Sequence, residues 1–150
     1  MEYTIRSIRE SELEQLLDLY THLHNDDPIQ KSENELKVLW ERMFRNESMH
    51  YIVADVNGQL VGSCVLVIIQ NLTRNTRPYG LIENVVTHKS FRRKGIGKAV
   101  LSEALSISKR QDCYKVMLLT GSNEEGTLRF YEEAGFRRGI KTGFIANLSF

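Results

Sequence analysis

A chain of 150 residues, 41% hydrophobic and 26% charged, suits one domain over residues 1–150 with a buried core and leaves no room for a second. Its formal net charge of +1 provides no global field for nucleic acid, which excludes a general polyanion binder and leaves only local clusters as anion sites. No apolar run reaches the roughly 18 to 20 residues of a membrane span, and Met1 to Glu10 mixes charged and apolar residues where a secretory leader has a basic patch and an apolar core. The expectation is a cytoplasmic protein with no membrane partner. Cys64 and Cys113 stand far apart without a CxxC pair, so neither a metal site nor a disulfide framework is expected.

In chain order, Tyr3 to Ile8 reads as a short strand. Ser11 and Glu14 form a capping-box pair opening a helix whose apolar face holds Leu13, Leu16, Leu17 and Tyr20. Asn25 to Pro28 breaks it. A second capping-box pair, Ser32 and Glu35, opens a helix with Leu36, Leu39, Trp40 and Met43 on one face. From His50 the period becomes that of strands, and Asn57-Gly58 between Tyr51 to Val56 and Leu60 to Ile69 is a two-residue hairpin signal. Asn71 to Gly80 is a polar loop, Leu81 to Thr87 a strand, and Ile96, Val100, Leu101, Ala104, Leu105 and Ile107 the stripe of a helix ending near Arg110. Tyr114 to Leu119 is the next strand. Strand, helix, strand in that order predicts a parallel, right-handed crossover, so the sheet is mixed. A last helix spans about Glu124 to Ala134 with Gly135 at its stop, and Phe136 onward returns to strand-like sequence. The fold class is α+β, a mixed central sheet flanked by helices.

Between the strand Leu81 to Thr87 and the following helix stands Lys89-Ser90-Phe91-Arg92-Arg93-Lys94-Gly95-Ile96-Gly97-Lys98. Cations and glycines meet at a helix start, where free amides and the positive end of the helix dipole favour an anion and Gly95 and Gly97 let it approach the main chain. The pattern suits a pyrophosphate. It is not a Walker A loop, which needs glycine at Arg92 and Ser or Thr at Ala99, nor a dinucleotide fingerprint, which needs glycine at Val100. The bland alternative is a tight glycine turn with a solvated basic rim.

The pattern that fits is Arg-x-x-Gly-x-Gly, at Arg92, Gly95 and Gly97, directly after an apolar strand. With Phe130-Tyr131-Glu132-Glu133-Ala134-Gly135-Phe136, which matches Tyr-x-x-x-Gly-Phe near the end of the last helix, it resembles the GNAT superfamily of N-acetyltransferases. The likeness covers about Leu81 to Phe136. With Cys113-Tyr114-Lys115, that stretch is similar to glucosamine-6-phosphate-acetylating members and to many small bacterial members alike, and no substrate is carried over from it.

The resemblance implies the GNAT-type acyl-CoA N-acyltransferase fold, acetyl-CoA as co-substrate without a metal, and a primary amine of a small molecule as acceptor. It implies that the turn Arg92, Arg93, Lys94, Gly95, Ile96, Gly97 and Lys98 holds the coenzyme diphosphate, and that Val85, Val86 and Thr87 bind the pantetheine arm and the acetyl carbonyl through their backbone. Phe130 is a further coenzyme contact. Many relatives place an asparagine seven residues before the tyrosine; here that position is Glu124, and Asn123, one step earlier, is the candidate. The family's acceptor pocket maps to His24 to Lys31, where Asp26 and Asp27 would attract a cationic amine, and to Asn71 to Gly80, where Arg74 and Arg77 would attract phosphate or carboxylate. Family members often form homodimers, with the carboxy-terminal strand as a candidate participant.

Acetyl transfer to an amine needs a neutral nucleophile, stabilisation of an oxyanion and a proton for the departing thiolate. An alkyl amine of pKa about 10.4 is neutral in roughly one molecule in 10³ at pH 7, so a base has something to gain. Glu83 is the candidate base, or else an exposed strand carboxylate. Amides near Val85 and Val86 are candidate oxyanion donors. Tyr131 is the candidate acid, or else a buried aromatic whose hydroxyl is satisfied by packing. Cys113, without a basic partner in sequence, is a poor nucleophile, and His22 and His24, two apart on a helix, are a poor metal pair. Protein or peptide N-acetylation, and a non-catalytic acetyl-CoA-binding module, are the alternatives to a small-molecule enzyme.

Overall fold

The computed structural model describes residues 1–24 and 27–148, and the chain falls into two compact units, Met1–Leu118 and Leu119–Phe150. The first is built on one sheet: β1 (Thr4–Ser7), β2 (Met49–Val56), β3 (Gln59–Ile69), β4 (Tyr79–Thr87) and β5 (Val116–Leu118), in that spatial order. The first three pairings are antiparallel and β4 with β5 is parallel, as the crossover through α3 (Ile96–Arg110) requires. At the hairpin, Asn57 and Gly58 take φ of 50° and 89°, the paired positive values of a tight turn that suits strand twist, and Val56 pairs with Gln59 across it.

Helices cover both faces of this sheet. On one, Leu16 and Leu19 of α1 (Leu13–Tyr20) and Trp40 of α2 (Glu33–Phe44) pack with Ile8, Tyr51, Val53, Val65 and Val86. Trp40 donates its indole N–H to the Glu10 carbonyl at 2.8 Å, so its large apolar surface is buried without orphaning its one polar atom. On the other face lies the α3 stripe Ile96, Val100, Leu101, Ala104 and Ile107, and Cys64 of β3 donates its thiol to the Val100 carbonyl at 3.7 Å. Central strands covered on both sides explain why β2 and β3 read as near-continuous apolar runs.

The Ser32–Glu35 capping box forms as the spacing predicts, with the Glu35 amide donating to Ser32 Oγ at 3.2 Å. The expected Ser11–Glu14 box does not. A 3-10 turn at Glu10–Glu12 precedes α1, and the buried Glu12 carboxylate accepts from the Arg9 amide at 2.7 Å. Glu12 is held there by Arg6, at 2.9 and 2.7 Å, and Arg6 also reaches Asp55 at 3.0 Å. An ion pair spanning β1, β2 and the helix start thus outweighs the local cap. The burial of Leu19 also widens the α1 face beyond the expected stripe, and β4 begins at Tyr79, two residues inside the expected loop.

The second unit holds α4 (Glu125–Glu133), ended by Gly135 at φ 106°. Ser122 accepts from the Glu124 amide at 3.2 Å at its start. Past the helix, Arg138 bonds Glu125 at 2.7 Å and Glu132 at 3.0 Å. The strand expected from Phe136 onward does not form among the described residues, where Phe144, Ile145 and Leu148 stand exposed. Among its described residues this unit contains no strand, and an extended segment without a neighbour has no ladder to bond to.

Candidate active site

The basic turn is shaped by two left-handed residues. After β4, His88 starts a 3-10 turn at Lys89–Phe91, Arg92 is extended, Arg93 has φ 62° and Gly95 has φ 82°. Such alternation turns successive amides toward one side, making a concavity for an anion. The helical ladder opens with the Ala99 amide bonded to the Gly95 carbonyl at 3.0 Å, so the amides of Ile96, Gly97 and Lys98 precede it. The space above Gly95 is open, and its glycine is required by its φ alone.

One buried side chain seats this helix start. Ile96 is 1% exposed and lies over Gly62 of β3, where a Cβ would come within 2.5 Å of its Cγ2. The missing side chain at Gly62 therefore lets the turn settle on the sheet. Arg92 acts as a brace: Nε donates to the Thr87 carbonyl and Nη2 to the His22 carbonyl, both at 3.2 Å. Lys94 lies 5.4 Å over the Phe91 ring, while Arg93 and Lys98 are exposed at the rim.

Along β4 the ladder is interrupted. Val86 pairs with Ser63 and Glu83 with Val65, so Asn84 and Val85 together face the single residue Cys64, and Asn84 has φ 52°. This is a bulge, which bends the strand and leaves a residue unpaired. On the opposite edge, parallel pairing with β5 stops at Ile82–Leu118, so no strand of the first unit pairs with β4 from Glu83 to Thr87 on that side. Backbone donors and acceptors on an unpaired edge can receive an extended amide-bearing arm as an added strand. Val85 and Thr87 are half-buried beside this edge, Val86 is buried in the core, and Glu83 is exposed.

Tyr20 is part of the apolar face expected of α1, but neither the bulge nor the nearness of Tyr20 to Asn84 is visible in the sequence. The Tyr20 hydroxyl is buried without a hydrogen-bond partner among the described residues, and burial pushes its pKa well above the ordinary phenol value, with Tyr51 adding to it. The Asn84 side chain acts the other way and lowers it.

In the second unit, Tyr131 occupies the third position from the end of α4. The Phe136 amide donates to the Tyr131 carbonyl at 3.1 Å and the Gly135 amide to the Glu132 carbonyl at 3.0 Å, while the Tyr131 and Phe136 rings meet edge to face at 6.5 Å. This is a Schellman stop with its apolar contact. Tyr-x-x-x-Gly-Phe spacing is thus first a requirement of the helix end, which fixes the tyrosine's place on it. Phe130 packs at 5.0 Å from the Tyr131 ring, and Asn123 is exposed ahead of the helix.

Comparison with known proteins decides what this site belongs to. Residues 12–136 match the model of the Acetyltransferase (GNAT) family. The chain is 36% identical over 134 residues to a glucosamine 6-phosphate N-acetyltransferase of Trypanosoma brucei brucei, covering 89% of this chain and 88% of that protein. It superposes with a TM-score of 0.90 on a putative acetyltransferase from Agrobacterium tumefaciens str. C58, at 38% identity over 96% of this chain and 99% of the other. The chain belongs to the GNAT acetyltransferase family.

As a GNAT enzyme it is an acetyl-CoA-dependent N-acetyltransferase. A neighbour of the same fold, AAC(6')-Iy, has been solved with a bisubstrate analogue built on CoA, at a TM-score of 0.80 and 16% identity.

The remaining candidates of the GNAT chain fall as follows. No group of three or more His, Cys, Asp or Glu among the described residues could hold a metal ion, and no helix among them is long and apolar enough to cross a membrane. Burial raises the Cys113 thiol above its ordinary value, against a smaller lowering by Ser108, and pushes Cys64 up to about 12, so both stay protonated near neutral pH. Arg77 is engaged by Asp112 and by the Cys113 carbonyl, and Arg74 lies 5.6 Å over the Tyr114 ring. Asp27 is exposed; Asp26 lies outside the described residues.

Proposed function

We propose that this GNAT enzyme moves the acetyl group of acetyl-CoA directly onto the primary amine of a small molecule, with a phosphorylated amino sugar as the first acceptor to test. The observation that carries the reading is the 36% identity to a glucosamine 6-phosphate N-acetyltransferase, which runs almost the full length of both proteins. In this reading residues 1–150 work as one catalytic domain, in keeping with a family match at 12–136 that extends into both compact units.

The chemistry divides among the chain's own groups. The turn at Arg92 to Lys98 binds the diphosphate, with Asn123 and Phe130 as further coenzyme contacts, and the unpaired edge of β4 from Val85 to Thr87 aligns the pantetheine arm. The amine nitrogen, freed of its proton by Glu83 directly or through water, attacks the acetyl carbonyl carbon. Amides near the bulge at Val85 and Val86 hold the oxyanion, since fixed donors need little reorganisation as charge develops. The carbon–sulfur bond then breaks, the thiolate takes a proton from Tyr131, and the second proton leaving the nitrogen restores the Tyr131 hydroxyl directly or through water.

The test is thiol release from acetyl-CoA in the presence of glucosamine 6-phosphate, glucosamine, polyamines, amino acids and peptide amino termini. Turnover with the phosphorylated sugar well above that with glucosamine is expected. A preference for peptide amino termini would replace this reading with protein acetylation, and coenzyme binding without turnover on any amine would replace it with a binding module.

A further inference from the structure

His22 follows the end of α1 and is joined to the diphosphate turn by two bonds, one to its imidazole and one to its main-chain carbonyl. The Lys89 amide donates to its Nδ1 at 3.2 Å, and its own carbonyl accepts from Arg92 Nη2 at 3.2 Å. Its ring lies on that of His88, with centroids 4.1 Å apart. His88 Nδ1 in turn accepts from the Ser90 amide at 3.0 Å, and the Phe91 ring meets His88 edge to face at 5.5 Å. The segment that shapes the turn is thus tied to α1 through one imidazole and one guanidinium.

We propose that His22 is a positioning residue for the coenzyme diphosphate turn, its neutral ring holding the Lys89 amide in place and releasing it when the ring is protonated, while its main-chain carbonyl keeps the Arg92 brace in either state. This rests on the reading of Arg92 to Lys98 as the diphosphate site. An amide N–H can only donate, so Nδ1 must carry a lone pair; a proton there removes the acceptor and sets two N–H groups against each other.

The groups facing His22 make that proton unwelcome. They are His88, Lys89 and Arg92, all neutral or cationic, and among the described residues no carboxylate pairs with either ring. Desolvation first, and then these neighbours, lower the His22 pKa below its ordinary value. The sign follows: the neutral, bonded form prevails above about pH 6.5 and is lost as pH falls through the lowered value.

The test is titration calorimetry at about pH 7.5 and at a lower pH at which NMR of the same protein shows the His22 ring protonated. The probe is 3′-dephospho-acetyl-CoA, because a phosphate monoester itself titrates near pH 6 whereas the diphosphate does not. Wild type should bind about threefold to tenfold more weakly at the lower pH, the range expected for one hydrogen bond. His22→Phe, which has no acceptor, should bind at both pH values about as weakly as wild type at the lower one. His22→Asn, whose amide oxygen can replace Nδ1 but does not titrate, should bind more tightly than His22→Phe with an affinity ratio between the two pH values close to one. A wild-type affinity that does not change with pH overturns the proposal, as does a His22→Asn profile that falls as steeply as wild type. Absence of binding by wild type at the higher pH overturns instead the diphosphate reading on which it rests.

Discussion

Tyr131 shows how one residue can satisfy two demands. Its carbonyl closes the stop of α4 and its ring packs on Phe136, both independent of its hydroxyl. Tyr131→Phe should therefore leave the helix end and acetyl-CoA affinity intact while lowering turnover about 10²- to 10⁴-fold, the usual contribution of a positioned acid. Calorimetry beside single-turnover kinetics would show this, and unchanged turnover with chemistry rate-limiting removes Tyr131 from the reaction. Glu12 is a structural counterpart. Its hydrogen bonds from Arg6, ahead of the opposing desolvation, lower its pKa, so its contribution is present above the ordinary carboxylate range and lost as pH falls through the lowered value. Glu12→Gln should cost about 2 kcal/mol near pH 7, and urea melts of the two proteins should converge in acid.

At the scale of elements, the decisive contact joins α3 to β3. Ile96 is β-branched, buried and at a helix start, so its Cγ2 has little freedom to withdraw from a new methyl at Gly62. Gly62→Ala should lower stability by about 1 to 3 kcal/mol through overpacking. By lifting the first turn of α3, it should also weaken acetyl-CoA binding more than a surface substitution of equal stability cost. Equal losses in both would make Gly62 a core residue with no bearing on the site. The other elements were legible to different degrees. Ser32 with Glu35 and Asn57-Gly58 were readable because a cap and a hairpin turn are decided within four residues. The Ser11–Glu14 box had the same signature and failed because Arg6, from another strand, positions Glu12 instead.

For the molecule as a whole, the proposed reaction is direct transfer with both substrates bound. A half-buried Cys113 whose thiol is held above its ordinary value is a poor acyl carrier. Initial-velocity measurements should give intersecting double-reciprocal lines, and parallel lines would restore a covalent route.

The sequence by itself determined the order of elements, the mixed sheet, the glycine turn at a helix start and the stop of α4, because periodicity, caps and turns depend on residues close along the chain. It also carried the family, through two motifs at a fixed separation. Tertiary structure alone decided the bulge at Asn84, the end of β5 pairing at Ile82, the use of Arg92 as a brace and the approach of His22 to Lys89, a residue 67 positions away. It also decided that no strand forms among the described residues after Phe136. Strand pairing and long-range hydrogen bonds depend on which partners the fold brings alongside, and a single segment of sequence carries no record of its partner.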